Sequence, residues 1–97
     1  MVEVEGNISR QYISSLIDLG SSHDYVTPRV VKICSLEKWK HNKSWLVKLA
    51  IGTKIKVSEL VGRCTLELNG LSTWENLNIF PLGSYDVIIG IDWLEAY

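Results

Sequence analysis

No apolar run in the sequence approaches the roughly 20 residues that cross a bilayer as a helix. The opening Met1-Val2-Glu3-Val4-Glu5 has neither the basic start nor the apolar stretch of a signal peptide. Both absences predict a soluble, cytoplasmic domain with no membrane partner. An excess of charge is missing too: 10 Lys and Arg against 11 Asp and Glu leave a formal −1, and the basic residues are scattered. No basic field exists to gather nucleic acid. Cysteine is scarce, with only Cys34 and Cys64, and an intracellular setting favours two thiols over a disulfide. A metal site built from His23, Cys34, His41 and Cys64 would need four separate segments to converge without close-paired ligand spacing. Neither a metal nor another cofactor is expected. Internal repeats are absent as well. Asn7-Ile8-Ser9 and Asn42-Lys43-Ser44 match the glycosylation acceptor pattern, which has meaning only in a secreted chain.

What is present is apolar: 46% of the 97 residues are hydrophobic and 22% charged, a balance that folds rather than remaining a tail. The length suits one domain, residues 1–97, with a single core that buries roughly three-fifths of the unfolded surface.

Period-two alternation dominates the chain. Residues 2–5 read as an edge strand, with Gly6-Asn7 offering a turn into a second strand, Gln11–Ile17. That strand runs into the polar loop Asp18-Leu19-Gly20-Ser21-Ser22. Pro28 is placed to open a short helix reaching about Cys34, with Thr27 as N-cap and Val30, Val31 and Cys34 on one face. Residues 38–43 are polar and basic without periodicity and read as a loop. Alternation returns from Trp45, and after the Ala50-Ile51-Gly52-Thr53 turn it continues through Ile55 and Val57. Such a lysine-edged hairpin can project from a barrel as a mobile cover or serve as an ordinary structural hairpin. Residues 63–68 and 71–80 flank Asn69-Gly70, the dipeptide suited to a two-residue turn with positive φ at both positions. Pro81-Leu82-Gly83-Ser84 breaks the chain before the buried strand expected within residues 85–90, and residues 91–97 read as a short closing helix. The pattern is mainly β.

Chemistry can sit at Asp18. It follows an apolar strand and precedes a sharp turn, where a carboxylate can be partly desolvated and its acidity tuned. An Asp two residues before a Gly is also common in ordinary turns. Asp86 precedes a strand and Asp92 lies near a helix start, where acids favour the dipole, so both read as structural. His23 could pair with Asp92 or simply be solvated. Trp45 and Trp74 sit in strand patterns, which suits core and barrel surface better than base-stacking platforms.

Leu16-Ile17-Asp18-Leu19-Gly20-Ser21-Ser22-His23 resembles the retropepsin active-site motif, two apolar residues followed by Asp-(Ser/Thr)-Gly-(Ala/Ser), in the form found in gypsy-class retrotransposons. Downstream, the run from Pro81 through Tyr85-Asp86-Val87-Ile88-Ile89-Gly90 to Ile91-Asp92-Trp93-Leu94 is similar to the end of that family's protease domain. The hairpin tip falls where the family has its flap. The resemblance covers residues 4–97 and implies a retropepsin-like closed β barrel with a flap hairpin and one or two short helices. It also implies an aspartic endopeptidase, acting on its own Gag-Pol polyprotein, that is active as a homodimer with one aspartate from each subunit. On that basis Asp18 is the catalytic candidate. Gly20, Ser21, Ala50, Ile51 and Gly52 are the substrate-binding candidates for an extended peptide.

Two departures matter. Position 19 is Leu where the family has Ser or Thr, whose hydroxyl bonds across the dimer axis and which leucine cannot replace. The family's retroviral members also add a strand after the last helix, for which residues up to Tyr97 leave no room. Either a longer polyprotein contains this sequence or dimerisation uses other surfaces. Two functions follow: the endopeptidase, and a catalytically weak or silent domain of the same fold that serves as a structural or binding module.

Overall fold

The computed structural model describes residues 2–18, 23–48, 52, 54–82 and 85–90. Within them the strands are β1 (Val2–Ile8), β2 (Gln11–Ile17), β3 (Tyr25–Val26), β4 (Lys38–Lys48), β5 (Lys54–Leu68), β6 (Leu71–Ile79) and β7 (Val87–Ile89), with one helix, α1 (Pro28–Ile33). The strand order is β1-β2-β7-β3-β6-β5-β4, and β1 also pairs with β5. That extra pairing closes six strands into a barrel and leaves β4 as an outer strand on the first half of β5. The mainly β, closed-barrel fold with a short helix is therefore what this sequence forms.

Closure depends on glycine at position 6. Gly6 pairs with Leu68 across the β1–β5 seam, and a Cβ built on it would stand 2.5 Å from the Glu67 carbonyl oxygen and 2.9 Å from Leu68 Cδ2. The sequence reading placed a turn at Gly6-Asn7. The structure corrects this: β1 runs through both residues, and the turn lies at Ser9 and Arg10, with φ of 49° and 67°. Gly6 answers to close backbone approach rather than to a turn.

Alternation along β5 supplies the inward face. Val57, Val61, Cys64, Leu66 and Leu68 are buried, and the spacing from Val61 to Cys64 would normally send one of them outward. A bulge prevents that. Val61 opposes Leu77 and Cys64 opposes Glu75, so Gly62 and Arg63 together face Asn76. Arg63 takes φ 51°, and its amide donates to Asn76 Oδ1 at 2.9 Å. The extra residue restores the inward phase, so β5 continues unbroken where the sequence suggested separate strands. Asn69 and Gly70, at φ 50° and 83°, form the expected turn into β6.

Residues 38–43 are strand rather than loop, which is a second correction. Lys38, Trp39 and Lys40 pair with Val61, Leu60 and Glu59 before the register shifts ahead of Trp45. Because this first half of β4 lies outside the barrel, neither of its faces must be apolar, and no alternation betrays it. Helix α1 forms as the sequence indicates, with Pro28 in its first turn, Thr27 as an N-cap that makes no side-chain cap bond, and Val30 and Val31 buried. Both cysteine thiols are free. The expected closing helix at residues 91–97 lies outside the described residues.

Candidate active site

Strands β2 and β7 run parallel, Ser15 to Ile17 beside Val87 to Ile89, so their C-terminal ends coincide. The Asp18 amide adds one more rung, donating to the Ile89 carbonyl at 2.9 Å. Ile13, Ser15 and Leu16 are buried beneath it, while Asp18 itself is half-buried. The carboxylate thus sits where apolar packing ends and the chain leaves the barrel. Strand β3 is antiparallel to β7, Tyr25 beside Ile88, which brings the residue before β3 to the same end.

That residue is Asp24, which is buried at 5% exposure. Its Oδ1 accepts the Gly90 amide at 2.7 Å, one residue beyond the rung that holds Asp18. Its carbonyl accepts the Asn78 amide at 2.9 Å and Asn78 Nδ2 at 3.1 Å. With the Asn78 side-chain nitrogen committed to that carbonyl, its Oδ1 is the acceptor toward His41 Nε2 at 2.7 Å, so Nε2 is the protonated ring nitrogen. A continuous chain of bonds joins Gly90, Asp24, Asn78 and His41, and it fixes the floor beside Asp18. The sequence reading passed over Asp24 and Asn78. Only the placement of Asp24 just after the motif hinted at a role.

The β4–β5 hairpin reaches this end through Trp45. Trp45 packs against His23 with ring centroids 5.3 Å apart and against His41 at 4.9 Å. Burial pushes the Tyr25 phenol above its usual range, and a hydrogen bond with the Trp45 side chain partly counters it. At the tip, Gly52 takes φ +92°, and a Cβ added there meets nothing within 4 Å among the described residues. Of the expected site residues, Asp18 and Gly52 are described; Leu19, Gly20, Ser21, Ala50 and Ile51 lie outside the described residues, as does Asp92.

Asp86 has a different task. Its Oδ2 accepts the Ser14 amide and its Oδ1 the Arg29 guanidinium, each at 2.9 Å, while its backbone bonds Ser14 and Thr27. It ties β2, β7 and the start of α1 together at the end of β7 remote from Asp18. Among the described residues, no three His, Cys, Asp or Glu side chains gather as metal ligands would.

Comparison with known proteins sets this geometry in context. Curated proteins give no match. Among solved structures, the retroviral protease-like domain of Ddi1 from Leishmania major superposes with a TM-score of 0.72 at 17% identity, over 99% of this chain and 76% of that one. At that identity the likeness shows the fold. The sequence profile of the retroviral aspartyl protease family matches residues 3–97, nearly the whole sequence. The chain belongs to the retroviral aspartyl protease family.

Proposed function

We propose that the chain is an aspartic endopeptidase of a retrotransposon Gag-Pol polyprotein, acting as a homodimer with Asp18 from each subunit. The observation that carries this reading is the position of Asp18, half-buried at the coincident ends of β2 and β7 with its amide fixed on Ile89. Peptide hydrolysis needs one group to take a proton from water and another to give one to the carbonyl. A single carboxylate does not supply both. Two that share a proton across a twofold axis do, because like charges a few ångströms apart do not both ionise cheaply. An extended substrate would lie between the Asp18 end and the β4–β5 hairpin, held by main-chain bonds with side chains alternating. Gly20, Ser21, Ala50, Ile51 and Gly52 are the residues assigned to that contact.

Cleavage of a peptide library at mildly acidic pH tests the reading, with Asp18→Asn as the control. Cleavage that disappears in the variant and falls on both sides of a pH optimum is expected; cleavage that persists in Asp18→Asn assigns the chemistry elsewhere. Leu19 favours a second reading, a catalytically weak or silent binding module, since it offers no hydroxyl beside the candidate dyad. A monomer that binds extended peptides without cutting them would select it.

A further inference from the structure

A cleft of about 570 Å³ lies between α1 and the sheet, with Val31, Leu36 and Ile79 as its apolar floor and Lys32, Lys38 and Glu59 at its rim. It is set apart from the Asp18 end. Thr27, which precedes α1, is bonded through its amide to the carbonyl of Asp86, at the end of β7 remote from Asp18. The strand register explains the mixed lining. Leu60 pairs with Asn78, and Val61 pairs with both Leu77 and Lys38, so Lys38, Glu59 and Ile79 lie on the sheet face that carries Val61 and Leu77. That face is buried core at Val61 and Leu77 and turns polar one step further along. Across the cleft Val31 is buried and Leu36 half-buried, and the Leu36 amide donates to the Val31 carbonyl at 3.0 Å. Charge is uneven at the rim. Lys38 and Glu59 stand 3.9 Å apart and answer each other, whereas Lys32 has no ion-pair partner among the described residues. Arg29 is committed to Asp86, and Glu37 does not line the cleft.

We propose that this cleft binds a small amphipathic carboxylate, an aliphatic chain that ends in one acid group. Its size falls in the range of small-molecule sites, roughly 300–1,000 Å³. Methylenes laid on Val31, Leu36 and Ile79 leave water and cover apolar surface that is now only partly buried. The acid group then meets the Lys32 ammonium, the one rim charge without a counter-charge, with Lys38 as a second cation nearby. A cationic head would face two lysines against one carboxylate already held by Lys38. An extended peptide would bring backbone N–H and C=O groups onto the floor, where three aliphatic side chains offer them no hydrogen bond. Lys32 therefore sets the preference for charge, and the floor sets the preference for chain length. The endopeptidase reading plays no part in this assignment.

Binding can be measured without catalysis. Decanoate, decylammonium and hexanoate are titrated into the wild-type protein below their micellar concentrations, and the methyl signals are followed by NMR. Decanoate is expected to move the signals of Val31, Leu36 and Ile79 and to bind about fivefold more tightly than decylammonium, the scale of an exposed ion pair. Hexanoate buries less chain and should bind at least about tenfold more weakly than decanoate. Lys32 is exposed, so Lys32→Gln should keep the fold, remove most of the preference over decylammonium and leave the dependence on chain length. Three results would overturn the proposal: no movement of those methyl signals up to millimolar decanoate, decylammonium bound as tightly as decanoate, or a preference unchanged in Lys32→Gln. An acetylated acidic leucine-rich tripeptide that binds the cleft where decanoate does not would overturn it as well.

Discussion

Thr73 and Ser15 carry hydroxyls that are fully buried yet find no hydrogen-bond partner among the described residues. A buried hydroxyl without a partner loses its water and regains nothing, at a cost of about 1–3 kcal/mol. Thr73→Val keeps the shape and removes the polar atom, so it should raise stability by about 1 kcal/mol, or about 4–8 °C in Tm for a domain of this size. Thermal unfolding measures it, and a fall in Tm would mean that the hydroxyl is satisfied. Cys64 makes a pH-dependent contribution. Burial, with the neighbouring Cys34 adding to it, pushes its thiol from 9.0 up to about 11. In the unfolded chain the thiol ionises first, so the folded state binds the extra proton between those two values. Stability should therefore be fully present below pH 9 and decline as pH rises toward about 11. Denaturant titrations across that window should show a shallower decline in Cys64→Ala. Of the candidate site, Asp18 stands out in the sequence because its signal is local: an apolar strand, an acid and a glycine in eight residues. The bonds that build the floor beside it were not, since Gly90 and Asp24 lie 66 residues apart, Asn78 and Asp24 54, and His41 and Asn78 37.

The elements differ in how openly the sequence declares them. Asn69-Gly70 announces its hairpin because both residues tolerate positive φ. The β1–β2 turn gives no such sign, since Ser9 and Arg10 take the same left-handed conformations, with φ of 49° and 67°, against their intrinsic preference. The turn is imposed by the β1–β2 register and by β1's seam with β5, so a local reading chose the nearest glycine instead. That mismatch predicts a gain. Replacing Ser9-Arg10 with Asn-Gly should relieve about 1–2 kcal/mol of backbone cost per residue, offset in part by the greater freedom of glycine in the unfolded chain. The double variant should unfold at higher denaturant concentration; an unchanged or lower midpoint would show that the Ser9 or Arg10 side chain contributes more than the strain it carries. The first half of β4, residues 38–43, escaped notice for the opposite reason. Its polar residues, including Lys38 with its nitrogen 3.9 Å from Glu59, obey no core, and periodicity reports only strands that do.

At the scale of the whole molecule, the sequence indicated the fold because two separated motifs and a hairpin agreed, and the barrel closes as that agreement required. Assembly is where Leu19 enters. In the proposed homodimer, if the family's hydroxyl at this position satisfies a buried amide, leucine leaves that amide without a partner at a cost of about 1–3 kcal/mol, once in each subunit, whereas contact between two leucines returns on the order of 1.5–3 kcal/mol if they are buried. On that balance the proposed dimer would be weakened. Leu19→Thr should tighten dimerisation by up to roughly four decades and raise cleavage, as sedimentation and peptide assays would report; a dimer equally tight in both forms would show that leucine is tolerated.

The most direct test of a shared dyad is to mix wild-type and Asp18→Asn chains at fixed total concentration, high enough that specific activity no longer rises, and to follow the cleavage rate. If each active site needs Asp18 from two chains, the rate follows the square of the wild-type fraction, and halving that fraction leaves a quarter of the rate. A rate that falls in simple proportion, or no cleavage by either the wild-type or the Leu19→Thr protein, would contradict the account.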